Sequence, residues 1–339
     1  MVTEHSKIST QVKQLLALLI ISLNNNAGAS STYYLVPRQC PNCHTLNEVI
    51  ENGISIYGSN VRVVLLPGLH VINSTKNKFL IENIGSLMLT GQGETAVKCL
   101  HEFSFNFSEI EDVIVSHIRF ESCSALTNFD QNDVVISRST KLRNTFLLMN
   151  VQNINIENLI INDGGLAVIP KYVTDIKFRF QGINISSGQL GIYVTKQGGF
   201  GVPDGNLLIH VHDCVFKNAF VDVITTRADI DQLEMRKVSY VDKIKSSYPV
   251  LYVVNVRKVH LNTVHFQNNS SPLLEMIGID LTVIKGYCSF KFNFGMGGAL
   301  IRTTNFSLYP YTTFEMTFNN VKKSPVSYTH LTLPTIYSV

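Results

Sequence analysis

One arrangement of apolar residues, at relative positions 0, 3, 5, 8 and 10, recurs along this chain and sharply limits what it can fold into. Ile110, Val113, Val115, Ile118 and Phe120 form one copy, and Val151, Ile154, Ile156, Leu159 and Ile161 another. Ile230, Leu233, Met235, Val238 and Tyr240 repeat it, as do Val256, Val259, Leu261, Val264 and Phe266. Two copies lack only the first apolar residue: Phe178, Phe180, Ile183 and Ile185, then Ile209, Val211, Cys214 and Phe216. Ile84, Leu87 and Leu89 read as a truncated early copy, and Tyr311, Phe314 and Met316 as a late one. The copies begin near residues 84, 110, 151, 175, 206, 230, 256 and 311. Most steps are about two dozen residues, the period of a solenoid coil too small to bury its own apolar face. The longer steps from 110 to 151 and from 175 to 206 read as coils with looped-out insertions, and the last as one skipped coil.

The spacing also distinguishes one solenoid from another. Positions 3 and 5 alternate as a strand does, positions 8 and 10 alternate again, and the polar pair between them marks a bend. Each coil thus offers two short strands to a shared core. A leucine-rich repeat would need Asn or Cys at position 8, where this chain carries Ile118, Leu159, Ile183, Cys214, Val238 and Val264. Val, Ile and Phe dominate the inward positions, as strands favour. The reading is therefore all-β: a right-handed parallel β-helix, a single-stranded solenoid over residues 76–323. Residues 33–75 supply an N-terminal cap and first strands. Thr45 with Glu48 has capping-box form, which predicts a short cap helix from Thr45 to Glu51. Val61 to Leu66 reads as a buried strand, with Pro67 and Gly68 as a turn.

The remaining composition and the chain start speak to compartment. Lys7 and Lys13 precede an apolar run from Leu15 to Leu23, followed by Ala27-Gly28-Ala29. That is the form of a signal peptide over residues 1–29, too short to span a bilayer, and no other stretch is apolar enough for a membrane span. A secreted or cell-surface location follows. Cys40, Cys43, Cys99, Cys123, Cys214 and Cys288 are then disulfide candidates, with no pairing legible from spacing. Glycosylation sequons begin at Asn73, Asn106, Asn184, Asn268, Asn269 and Asn305. A net charge of +3 without a Lys/Arg run sets nucleic acid aside as a partner. Charged residues are only 16% of the chain, and apolar ones 45%, which excludes a charge-driven disordered chain.

Leu66, Pro67 and Gly68, leading into strand-like residues, resemble the opening of pectin-lyase-like β-helix domains. Over about residues 33 to 323 the chain is similar to secreted right-handed parallel β-helix repeat proteins of sponges and other simple animals. The resemblance implies a fold more than an activity. The Asn-Thr-Asp, paired-Asp, Gly-His-Gly and Arg-Ile-Lys elements of the glycosidases on this fold do not occur here. From Pro325, Val326 to Val339 abandon the repeat and resemble a translated sequencing-adapter tail. Residues 324–339 are therefore expected to be foreign to the native protein, and the native chain to be longer.

Several motifs invite chemistry. Cys40-Pro41-Asn42-Cys43-His44 has the form of a haem-attachment motif, but a disulfide pinning the cap is the preferred account, and no cofactor is implied. His210 and His212 flank Val211 on a strand, so both imidazoles point outward and could hold a metal. Stacking the copies sets His210, Glu234 and His260 in one outward row, and Gln181, His212, Arg236 and Asn262 in another. A solvated cross-coil ladder is the reading preferred there, with no metal assigned, although it is the candidate ligand-binding patch. Asp163, Asp175, Asp213 and Asp242 are carboxylates of the type a lyase or glycosidase would use, but they fall mostly at turns. The glycines from Gly198 to Gly205 read as a tight or mobile insertion. Phe103, Phe105 and Phe107 alternate like Phe290, Phe292 and Phe294, as aromatics stacked inside the helix would.

The expected function is a non-catalytic extracellular or cell-surface binding, adhesion or structural module for glycans or proteins. A polysaccharide-active enzyme on the same fold and a leucine-rich-like recognition module are the alternatives.

Overall fold

The computed structural model describes residues 31–35, 59–73, 78–127, 142–171, 175–186, 190–195, 207–218, 221–226, 230–242, 249–254, 256–270, 273–277, 279, 281–291, 301–302, 306–308 and 313–317. These residues are all-β, with no helix among them, and form a parallel β-helix. The expected cap helix, the signal segment, residues 324–339, Cys40 to His44 and Gly198 to Gly205 lie outside the described residues.

Each coil has three β sides rather than the two read from the repeat, although in Ile230–Val241 and Val256–Gln267 the first two run on as one strand. Positions 3 and 5 lie on a first strand, such as Asp112–Ser116 or Asn153–Glu157. Position 10 lies on a second, such as Arg119–Glu121 or Ile160–Asn162, and position 8 immediately precedes it. Both belong to one extended parallel sheet. The third strand, represented by Ser104–Ser108, Phe146–Val151 and Leu166–Pro170, joins a separate nine-stranded parallel sheet that closes the coil. Strands on every side of the coil, and no helix among the described residues, correct the leucine-rich alternative, which needs a helical convex side.

The register is the one the repeat demands. Val113 pairs with Leu87 and Ile154, Ile154 with Phe178, Phe178 with Ile209, and Leu233 with Ile209 and Val259. Val113, Ile156 and Leu261 are buried, as are the other apolar residues of the copies from Ile84 to Phe266. Like side chains therefore stack one coil above the next, at the roughly 4.8 Å spacing of hydrogen-bonded strands. Tyr240 lies between Phe216 and Phe266, with ring centroids 5.2 and 5.1 Å away and near-parallel planes. Phe105 stacks on Phe146 at 5.2 Å, so the Phe103 to Phe107 alternation does feed the interior.

Two departures have local causes. The coil thought to be skipped after residue 256 is present: Thr282 takes the inward place of Val259, and Gly286 adds a residue before Cys288 reaches the row of Val264. A polar residue at position 3 and a one-residue insertion hide that copy from pattern matching. The late copy is correspondingly out of register, since Phe314 pairs with Cys288 and Met316 with Phe290. The insertion before residue 151 begins and ends as a small antiparallel pair, Ala125–Thr127 against Leu142–Asn144, and leaves the main register intact.

The corners explain much of the polar composition. Between first and second strands, His117, Asn158, Gly182, Asp213, Lys237, Thr263 and Gly286 all have φ between 52° and 74°. After the second strand, Ser122, Asp163, Asn218, Asp242 and Asn268 do the same. Only Gly enters this region freely, and Asn and Asp enter it at least penalty among the others. Corner amides remain bonded from coil to coil, as in His117 N–H to Glu157 O at 3.0 Å and Asp213 N–H to Arg236 O at 2.9 Å. Corner side chains form their own ladder: Asn268 donates to Asp242 at 3.2 Å, and Asn158 lies 3.1 Å from His117.

Candidate functional site

Strand Leu207–His212 shows how the coil divides its residues. Leu207, Ile209 and Val211 point into the core, while Leu208, His210 and His212 alternate outward and are half-buried. Parallel pairing then fixes their neighbours. His210 lies between Arg179 and Glu234, and Glu234 between His210 and His260. His212 lies between Gln181 and Arg236, and Arg236 is followed by Asn262. The two outward rows expected from the sequence are thus in register. On the next coil Val283 and Lys285 take these two places.

Glu234 is the centre of the patch. One carboxylate oxygen is 3.2 Å from His210 Nδ1 and the other is 4.0 Å from His212 Nε2. The imidazole centroids are 5.8 Å apart with nearly perpendicular planes. His212 Nε2 is shut off from solvent and has no hydrogen-bond partner. Burial pulls the His212 pKa below its ordinary 6.5; Glu234 opposes the shift, while His210 and Arg236 reinforce it. Burial also lowers His260, with Lys285 adding to the effect and Glu234 opposing it. Both rings are neutral at pH 7 and keep a lone pair for a donor or a metal.

The other candidates separate clearly. Asp163, Asp175, Asp213 and Asp242 all have φ between 53° and 65°, so each occupies a corner whose backbone conformation Asp adopts at small cost. Cys99 and Cys123 form a disulfide between neighbouring coils, with Cα atoms 4.9 Å apart. Cys214 and Cys288 are free and buried. They occupy one inward row, with Val238 and Val264 on the coils between them, and lie well beyond the roughly 7 Å limit for a bridge. Burial raises the Cys214 thiol to about 12, so it packs as an apolar group.

Of the sequon asparagines, Asn73, Asn184 and Asn268 are exposed. Asn106 and Asn269 are buried, Asn106 accepting from Ser104 Oγ at 2.9 Å and Asn269 donating to Tyr240 O at 3.1 Å. Asn305 lies outside the described residues.

Sequence reasoning missed two parts of this face. Arg179, which hydrogen-bonds Gln181, extends the His210 row by one coil and occupies the same offset in its repeat. Ile160 and Val215 are exposed on either side of Asn184 in the outward row of the second strands. Extending each outward row through every copy would have found both. No protein-family model, curated protein or solved structure matches the chain.

Proposed function

We propose that this chain is an extracellular or cell-surface β-helix protein, of the secreted pectin-lyase-like repeat type, that binds glycans or other proteins on its long parallel face without catalysis. The observation that carries the reading is the double outward row of Arg179, His210, Glu234 and His260 beside Gln181, His212, Arg236 and Asn262, which repeats polar groups at coil spacing on a flat surface. Such a row suits a ligand that is itself a chain of hydroxyls or carboxylates, because several modest polar contacts can be made at once. The coil-to-coil disulfide fits an oxidising compartment. The exposed sequons at Asn73, Asn184 and Asn268 and the N-terminal apolar run agree with export. An enzyme would need carboxylates converging in one groove, whereas the aspartates of suitable type are held in corners on different coils.

The test is a binding screen of the full chain against neutral and acidic polysaccharides, with and without Ca²⁺, alongside an assay for newly formed reducing or unsaturated ends. Saturable binding that weakens at least about tenfold in the double variant Arg179→Ala and Arg236→Ala, with no new chain ends, is the expected result. Release of chain ends would overturn the non-catalytic reading in favour of a polysaccharide-active enzyme. Absence of binding to every polysaccharide would remove the glycan half of the proposal.

A further inference from the structure

We propose that His210, His212 and Glu234 form a surface site for a divalent transition-metal ion of the zinc class. Two imidazole nitrogens would come from one strand and a carboxylate oxygen from the next. One ligand atom from each residue lies within 4.8 Å of the others. Zinc–nitrogen and zinc–oxygen bonds of roughly 2.0–2.2 Å set neighbouring ligands of a tetrahedron about 3.4 Å apart. The His210 Nδ1 to Glu234 oxygen distance of 3.2 Å already meets that requirement, and the 4.0 Å distance from His212 Nε2 needs only a small side-chain adjustment.

An ion pair alone leaves part of the cluster unexplained. It engages His210, yet His212 Nε2 faces the same carboxylate with neither a hydrogen bond nor access to water. A metal ion would occupy that gap and use the lone pair. Two nitrogens and one oxygen select zinc, copper or nickel over Mg²⁺ and Ca²⁺, which take oxygen ligands. Three protein ligands leave a fourth position for water or for a group of a bound partner.

The surrounding charges set a limit. Arg179 precedes His210 in its row, Arg236 follows His212, and Lys258 and Lys285 lie on the coils beyond. Asp213 at the adjoining corner and Glu234 offset them in part, and His260 stands on the far side of Glu234. Their net repulsion points to moderate rather than extreme affinity. The site does not depend on the face binding a glycan.

Calorimetric titration of the full chain with Zn²⁺, and separately with Mg²⁺ and Ca²⁺, tests the proposal. The expected result is saturable Zn²⁺ binding at this site that weakens at least about tenfold in His212→Ala and in Glu234→Gln, with His117→Ala as an unaffected control. Zn²⁺ should also raise the melting temperature of the parent chain but not of Glu234→Gln, a readout that confirms both proteins are folded. Absence of saturable Zn²⁺ binding would overturn the assignment. So would binding that survives His212→Ala and Glu234→Gln but is lost when Cys40 and Cys43 are replaced by serine.

Discussion

His212 illustrates how much one outward position can carry. Its ring is held neutral mainly by burial, against the pull of Glu234. Below pH 6.5 the unfolded chain takes up a proton at this residue that the native chain resists, so the unfolded state binds more protons and stability falls as pH drops. Urea midpoints measured with a chelator at pH 7.5 and 5.5 are expected to fall less in His212→Gln than in the parent chain. His260, lowered in the same direction, supplies part of the remaining dependence. A decline as steep in His212→Gln as in the parent would show that this ring is not a source of the effect. The histidine rows were legible in the sequence because an outward residue keeps its offset from coil to coil. The distance from Glu234 to each ring was not, because rotamers and the sheet's twist decide it.

At the scale of the strand, the first two sides of each coil could be read directly and the third could not. Asp112–Ser116 and Arg119–Glu121 are joined by a fixed bend, so their inward residues keep one spacing in nearly every copy. Phe146–Val151, Leu166–Pro170 and Leu251–Val254 follow connections of differing length, and their apolar residues therefore never fall into a constant offset. Thr282 and Gly286 broke the pattern in another coil by putting a hydroxyl inside and one residue too many in the bend. The disulfide pairing became evident only when Cys99 and Cys123 were placed on neighbouring coils. It closes a loop one coil long, with a sequence separation of 24. Replacing both cysteines with alanine should lower unfolding stability by about 3 kcal/mol in a reversible denaturant titration, from lost loop constraint. A loss well under 1 kcal/mol would mean that the stacked strands already hold these coils together in the unfolded ensemble.

The whole molecule is a stack in which each coil touches chiefly the coils before and after it. Stability in such an arrangement is a sum of coil and interface contributions, so damage remains near its origin. Phe216 is fully within the aromatic pile and rests on Tyr240. Phe216→Ala should cost about 3–5 kcal/mol locally. Hydrogen exchange is expected to accelerate first in Leu207–His212 and Ile230–Val241, while Ser86–Gly91 and Asp112–Ser116 remain protected. Uniform acceleration along the chain would instead indicate a single cooperative unit.

The insertion between Arg119–Glu121 and Phe146–Val151 leaves through a corner, and Asp112 still faces Asn153 one rung on. Extra sequence can therefore be spliced into the bends without altering the interval between outward residues, which the backbone hydrogen bonds hold constant. The face behaves as a graduated ruler. A polymer bound there as proposed would be compared with the markings by its own repeat, and a mismatch would accumulate with every unit, so the surface would discriminate by length and periodicity as well as by composition.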